Sequence, residues 1–117
     1  VIHPVLAAGQ IEGGVAQAVG YALHENVVWE NGRMMNSQMT NYIMPTSVDV
    51  PPIRVFFEEL HYPFGPGGAK GIGELPMDGT APAILNAIEN ATGVSLNEIP
   101  ALPEKLMQAL EQEGARA

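Results

Sequence analysis

The segment Gly65-Pro66-Gly67-Gly68-Ala69-Lys70-Gly71-Ile72-Gly73-Glu74-Leu75-Pro76 carries one carboxylate, Glu74, on a backbone with five glycines between Gly65 and Gly73. Glycines at this density let a large planar or anionic group approach main-chain N–H groups. A carboxylate between Gly73 and Leu75 is expected to be poorly solvated, the condition under which a carboxylate serves as a general base. The other reading is a flexible loop bearing an ordinary solvated glutamate. Neither phosphate-binding loop fits. Gly-x-x-x-x-Gly-Lys-[Ser/Thr] fails because Ala69 precedes Lys70 and Gly71 follows it, and Gly-x-Gly-x-x-Gly fails because Lys70 takes the third glycine's place.

Other chemistry is thinly represented. His3, His24 and His61 form no i, i+4 pair and no His-x-x-x-Glu spacing, so no metal-ligand set is expected and each histidine reads as a surface or packing residue. Ser37, Ser47 and Ser95 lie in no Gly-x-Ser-x-Gly setting. The absence of cysteine excludes disulfides, Cys-ligated zinc or iron–sulfur sites and a cysteine nucleophile within this chain. Five Lys and Arg against thirteen Asp and Glu leave a formal charge of -8. Without a basic stripe, binding to nucleic acid or to an anionic membrane is not expected. No apolar run approaches the ~20 residues that span a bilayer, no signal-peptide pattern is visible, and a cytoplasmic location is expected.

These residues need elements to position them. Ile11, Val15, Ala18, Val19, Ala22 and Leu23 recur at helical spacing and predict a helix over Gly9 to His24. Gly13, Gly14 and Gly20, each costing ~1 kcal/mol relative to Ala in a helix, combine with Ala16 into a face almost without side chains. That face meets either a closely packed element or a bulky ligand. Val27 to Asn36 predicts a hairpin turning at Asn31-Gly32, the pair suited to a type I′ turn. Tyr42-Ile43-Met44 reads as a short extended piece, and Pro45, Pro51 and Pro52 bar a central strand. Ile53, Val55 and Phe57 alternate with Arg54, Phe56 and Glu58, predicting a half-buried strand over Ile53 to Glu59. Leu60 to Met77 is a long loop, a length that is usually functional or disordered.

A second helix follows, capped by Asp78 or Thr80, with Pro82 in its first turn, an apolar stripe at Ala81, Ile84, Leu85, Ile88 and Ala91, and Gly93 closing it. Pro103 opens a short amphipathic helix with Leu106 and Leu110 on one face, and Glu111 to Ala117 is expected to fray. The fold class is α+β: an N-terminal helix, a hairpin, one further strand, a Gly-rich loop and two C-terminal helices on one side of a small sheet. Val1-Ile2-His3-Pro4-Val5 reads like the middle of a strand and no Met begins the chain, so residues 1–117 are expected to form one segment of a larger domain. Alone, such a segment should expose apolar surface and self-associate.

Lys70-Gly71-Ile72-Gly73-Glu74 resembles the Lys-[Gly/Ala]-x-Gly-Glu segment of the molybdenum hydroxylases, the xanthine dehydrogenase and aldehyde oxidase family. Gly9-Gln10-Ile11-Glu12-Gly13, continuing through Gly20, resembles the family's Gly-Gln-[Ile/Val]-Glu-Gly helix, and Leu102-Pro103-Glu104-Lys105 its closing segment. The two motifs occur in the family's order and separation, and the likeness covers nearly the whole chain. Leu75-Pro76 lies within the family's variation.

The resemblance implies the C-terminal part of a molybdopterin-binding large subunit. Glu74 would be the general base on a molybdenum-bound hydroxyl, Gln10 would contact the pterin, and Gly71, Ile72 and Gly73 would line the cofactor. It implies a small heterocyclic or aldehyde substrate hydroxylated with water. Iron–sulfur and flavin groups would lie on other domains or subunits. It further implies that the remaining cofactor-binding segments are needed, so the isolated chain is expected to be inactive. Two competing expectations are a non-catalytic acidic interaction domain derived from the family, and a hydrolase using Glu74 with water; the latter lacks a partner acid or metal ligand.

Overall fold

The computed structural model describes residues 1–115. Its elements are helix α1 (Pro4–Leu23), strands β1 (Trp29–Glu30) and β2 (Arg33–Met34), a single 3₁₀ turn at Pro66–Gly68, and helices α2 (Leu75–Asp78), α3 (Thr80–Thr92) and α4 (Pro103–Gly114). The chain is helix-rich with one two-stranded antiparallel sheet.

Helix α1 begins five residues earlier than its apolar spacing predicts, and the extended start expected for Val1 to Val5 is not formed. Pro4 occupies the first turn, where a fixed φ and a missing N–H carry no penalty. His3 stays extended, and its Nδ1 accepts the Leu6 N–H at 3.2 Å. The hairpin forms as expected. Asn31 and Gly32 adopt φ of 49° and 77°, Trp29 pairs with Met34, and Glu30 pairs with Arg33. Asn36 lengthens the stem, accepting the Val28 N–H at 2.9 Å and donating to the Asn26 carbonyl at 2.6 Å.

The strand expected over Ile53 to Glu59 is absent. Ile53, Val55 and Phe57 are half-buried and Arg54, Phe56 and Glu58 exposed, as the alternation implies. Alternation reports the two faces of a segment, whereas a strand also needs a hydrogen-bonded neighbour, and among the described residues only β1 and β2 pair. Nor do the C-terminal helices lie on a sheet: α1 packs against α2 and α3, which also touch each other. Neither Asp78 nor Thr80 caps α3. Gly79 stands at its start without a side-chain cap, because α2 runs almost directly into α3, and the Thr80 hydroxyl instead donates to the Pro76 carbonyl at 3.1 Å. Gly93 ends α3 in the left-handed region at φ 76°, its N–H on the Glu89 carbonyl. Helix α4 runs through Gly114, and Arg116 and Ala117 lie outside the described residues.

The core is built from small residues: Ala18, Val19, Ala22, Ala81, Val94 and Ala101. The Ala101 N–H reaches the Ala22 carbonyl at 2.7 Å and fastens the segment before α4 to the end of α1. A radius of gyration of 18.1 Å far exceeds the roughly 13 Å of a compact domain of this length. Correspondingly, Ile2, Val5, Leu6, Val48, Phe56 and Phe64 are all largely exposed. The apolar surface expected of the chain is present.

The bare face of α1 divides into two. A Cβ on Gly14 would lie 2.7 Å from Pro76 Cβ, and one on Gly20 would meet Glu25 and Pro45, so both are sites of close approach. Gly13 meets nothing within 4 Å. The cover over Gly20 is held by the Tyr42 hydroxyl, which donates to Glu25 Oε2 at 2.7 Å. Beyond it, the Thr46 hydroxyl and N–H both donate to Asp49 Oδ2, and these bonds hold the Asp49 carboxyl below its ordinary range.

Two outcomes follow from this packing. Gly14→Ala should destabilise the protein by about 1 kcal/mol even after its gain in helix propensity, because a proline ring cannot move aside. Gly13→Ala should be neutral or stabilising by up to ~1 kcal/mol. Urea unfolding of the two variants should show opposite signs. Separately, the hydrogen bond to Glu25, with desolvation and the Glu25 charge adding to it, raises the Tyr42 pKa above its ordinary 10.0. A raised folded-state value means that this contribution is complete below pH 10.0 and is lost as pH climbs through the raised value. Tyrosinate absorbance should show the midpoint falling back toward the ordinary value in Glu25→Gln, and an unchanged midpoint would contradict the bond.

Candidate functional site

The site begins on α1. Gln10 and Gly14 stand one helical turn apart and so share a face. Gly14, lacking a side chain, admits the Pro76 ring against the helix, and Pro76 is buried. One turn earlier, Gln10 Nε2 donates to the Gly73 carbonyl at 2.6 Å, a bond between residues 63 apart in the chain. The two segments that sequence reading singled out are therefore joined directly, and Glu74 lies between the two points of attachment.

Glu74 precedes α2 with αR backbone geometry and makes no side-chain cap bond. It is exposed, as is Gln10. The expectation of a poorly solvated carboxylate is thus not met by this chain's own residues: Gly73 and Leu75 are exposed as well and bury nothing over it. Among the described residues no lysine or arginine pairs with Glu74, and Lys70 is unpaired too. Glu74 does edge a cleft of about 480 Å³ whose walls include Tyr21, Met77, Ala81, Leu85 and Ile99. None of these was expected from sequence, because the cleft is made by α1, α2, α3 and the residues before α4 meeting across long separations. The apolar stripe of α3 was the one available signal.

The five loop glycines serve different ends. Gly68, at φ 82°, sits with its missing Cβ 2.7 Å from His61 Nδ1, and Gly65 lies against the Ala69 carbonyl and Tyr62. Tyr62 in turn meets Phe64 edge-on at 5.8 Å between ring centroids. These contacts explain part of the glycine density by the loop's own folding. Gly71 and Gly73, which flank the half-buried Ile72, meet nothing within 4 Å and carry no left-handed φ. The fold leaves their main chain open, next to Gln10 and Glu74.

Comparison with known proteins bears on both segments. Residues 1–51 match the molybdopterin cofactor-binding domain family, a span that includes Gln10 and stops short of Glu74. The chain is 35% identical over 116 residues to the xanthine dehydrogenase molybdenum-binding subunit of Escherichia coli, covering 97% of the chain and 15% of that protein. It is 38% identical over 104 residues to the aldehyde oxidoreductase of Megalodesulfovibrio gigas, covering 88% of the chain and 11% of that protein. Its structure is similar to that of quinoline 2-oxidoreductase from Pseudomonas putida 86, with a TM-score of 0.88 and 34% identity over 96% of the chain and 15% of the solved one. The chain thus spans about 15% of the length of the first of these relatives.

The division among the loop glycines has a measurable consequence. Gly68→Ala should cost 1 kcal/mol or more, on the order of what a strained backbone position carries. Gly71→Ala and Gly73→Ala should stay within ~0.5 kcal/mol of the parent in urea unfolding, as surface substitutions do. Equal losses at all three positions would mean that the whole loop is packed.

Proposed function

Because the chain belongs to the molybdenum hydroxylase family of the xanthine dehydrogenase and aldehyde oxidase type, we propose that it supplies the general base and one wall of the cofactor site for hydroxylating a small heterocycle or aldehyde with water. The observation that carries this reading is the Gln10 to Gly73 bond, which sets the cofactor-binding helix and the glutamate segment side by side. The residues present fit a large, flat, anionic group. Gly71 and Gly73 expose main chain beside which no Cβ or neighbour intrudes, and Gln10 keeps one N–H and its amide oxygen unused.

Gln10 would hold the pterin through those groups, and the backbone of Gly71, Ile72 and Gly73 would line it. When bound, the molybdenum cofactor supplies the two-electron oxidation. Glu74 takes up, at a carboxylate oxygen, the proton released as water-derived oxygen is delivered to an electron-poor carbon. Its exposure in this chain leaves the carboxylate open to a donor, and the parts of the subunit beyond residues 1–117 would exclude bulk water from it. With no cysteine here, iron–sulfur ligation falls to other domains or subunits, as flavin binding would. The remaining cofactor-binding segments would be the chain's first partners, and alone it should neither hold cofactor firmly nor turn over substrate.

General acid–base catalysis is typically worth 10²–10⁴-fold, and more where the base also creates the nucleophile. Glu74→Gln keeps size and hydrogen-bonding capacity but cannot accept the proton. In the full-length protein it should slow reduction by substrate at least ~10³-fold with molybdenum content unchanged. Rapid-reaction kinetics normalised to metal would show this, and a variant within ten-fold of the parent would remove Glu74 as the base. Gly73→Val, which places a branched side chain beside that open main chain, should lower molybdenum content without unfolding the protein.

A further inference from the structure

Residues 70–73 have a single hydrogen-bonded tie to the rest of the described chain, the bond from Gln10 Nε2 to the Gly73 carbonyl. A Cβ on Gly71 or Gly73 would meet nothing within 4 Å, and Ile72 between them is half-buried. Two glycines in four residues raise the entropic cost of holding one conformation, and Glu74 makes no side-chain cap bond to offset it. Downstream, the chain is secured where Pro76 packs on Gly14. Both anchors lie on α1.

We propose that Gln10 is the positioning residue for Glu74, an inference that rests on Glu74 being the base. The peptide unit is planar, so the Gly73 carbonyl, the Glu74 nitrogen and the Glu74 Cα form one rigid body. Holding that carbonyl from α1 sets the position of Glu74 Cα, the point from which its carboxylate reaches out. The side chain of Gln10 has two N–H groups and an oxygen, and the Gly73 bond uses one N–H. One side chain therefore faces both the open main chain and the base, so its loss should reduce the rate per bound molybdenum as well as the amount bound.

The test uses the full-length protein with Gln10→Ala and Gln10→Glu. Glutamate copies the shape of glutamine but, ionised, has no proton to donate, so it separates hydrogen bonding from packing. Lys70 is exposed within the segment and provides a tryptic site that reports its mobility. Cleavage after Lys70 should be at least ~3-fold faster in both variants, as loss of one hydrogen bond implies. The Gly73–Glu74 main chain should be displaced or disordered in their crystal structures. Reduction per bound molybdenum should fall at least ~10-fold, since small misplacements of a catalytic group are costly. Glu74→Gln should leave cleavage at the parent rate, so failure of the base assignment reads separately from failure of the tie. A Gln10→Glu protein with parental cleavage and a superposable Gly73–Glu74 main chain would overturn the proposal, as would parental reduction per molybdenum from a displaced one.

Discussion

The placement of Glu74 depends on how closely another segment can approach α1. At Gly14 the helix has no side chain, and the Pro76 ring fills the space that a Cβ would take. That contact brings residues 73–77 onto the helix, within reach of Gln10 one turn earlier. A side chain at position 14 would push Pro76 outward, and with it the carbonyl that Gln10 holds. Helix propensity is sacrificed for proximity, a local cost of ~1 kcal/mol that makes sense only in the light of the contact.

Much of this was legible in the sequence, though unevenly. The Asn31-Gly32 turn and the closing Gly93 were readable because each rests on a backbone conformation that few residues adopt. The two chemical segments were readable as patterns, and the fold brings them together. The strand expected over Ile53 to Glu59 was not readable, because alternating burial says nothing of whether a partner strand exists. The start of α1 was missed because Val5 and Leu6, both exposed, do not follow the apolar spacing; Pro4 and the capping His3 were the signals to weigh. Which glycines were structural could not be told from composition. Gly14, Gly20 and Gly68 meet neighbours, whereas Gly13, Gly71 and Gly73 do not, and only the tertiary contacts separate them.

The open shape has the same origin as the exposed site. A core of alanines and valines lets helices approach closely but buries little area, so half of the large apolar side chains remain exposed. The chain spans about 15% of the length of its relative, which is a molybdenum-binding subunit. The exposure of Glu74 belongs with this: the chain presents a carboxylate and open main chain without the walls that would dry them.

The most direct test is to locate the metal. Crystals of the full-length protein, measured on both sides of the molybdenum absorption edge, would place that atom without reference to any chemical assumption. One molybdenum is expected beside the Gly71–Gly73 main chain, with Glu74 within hydrogen-bond reach of its ligand sphere directly or through one water. A molybdenum on the far side of α1, or separated from Glu74 by intervening protein, would contradict it.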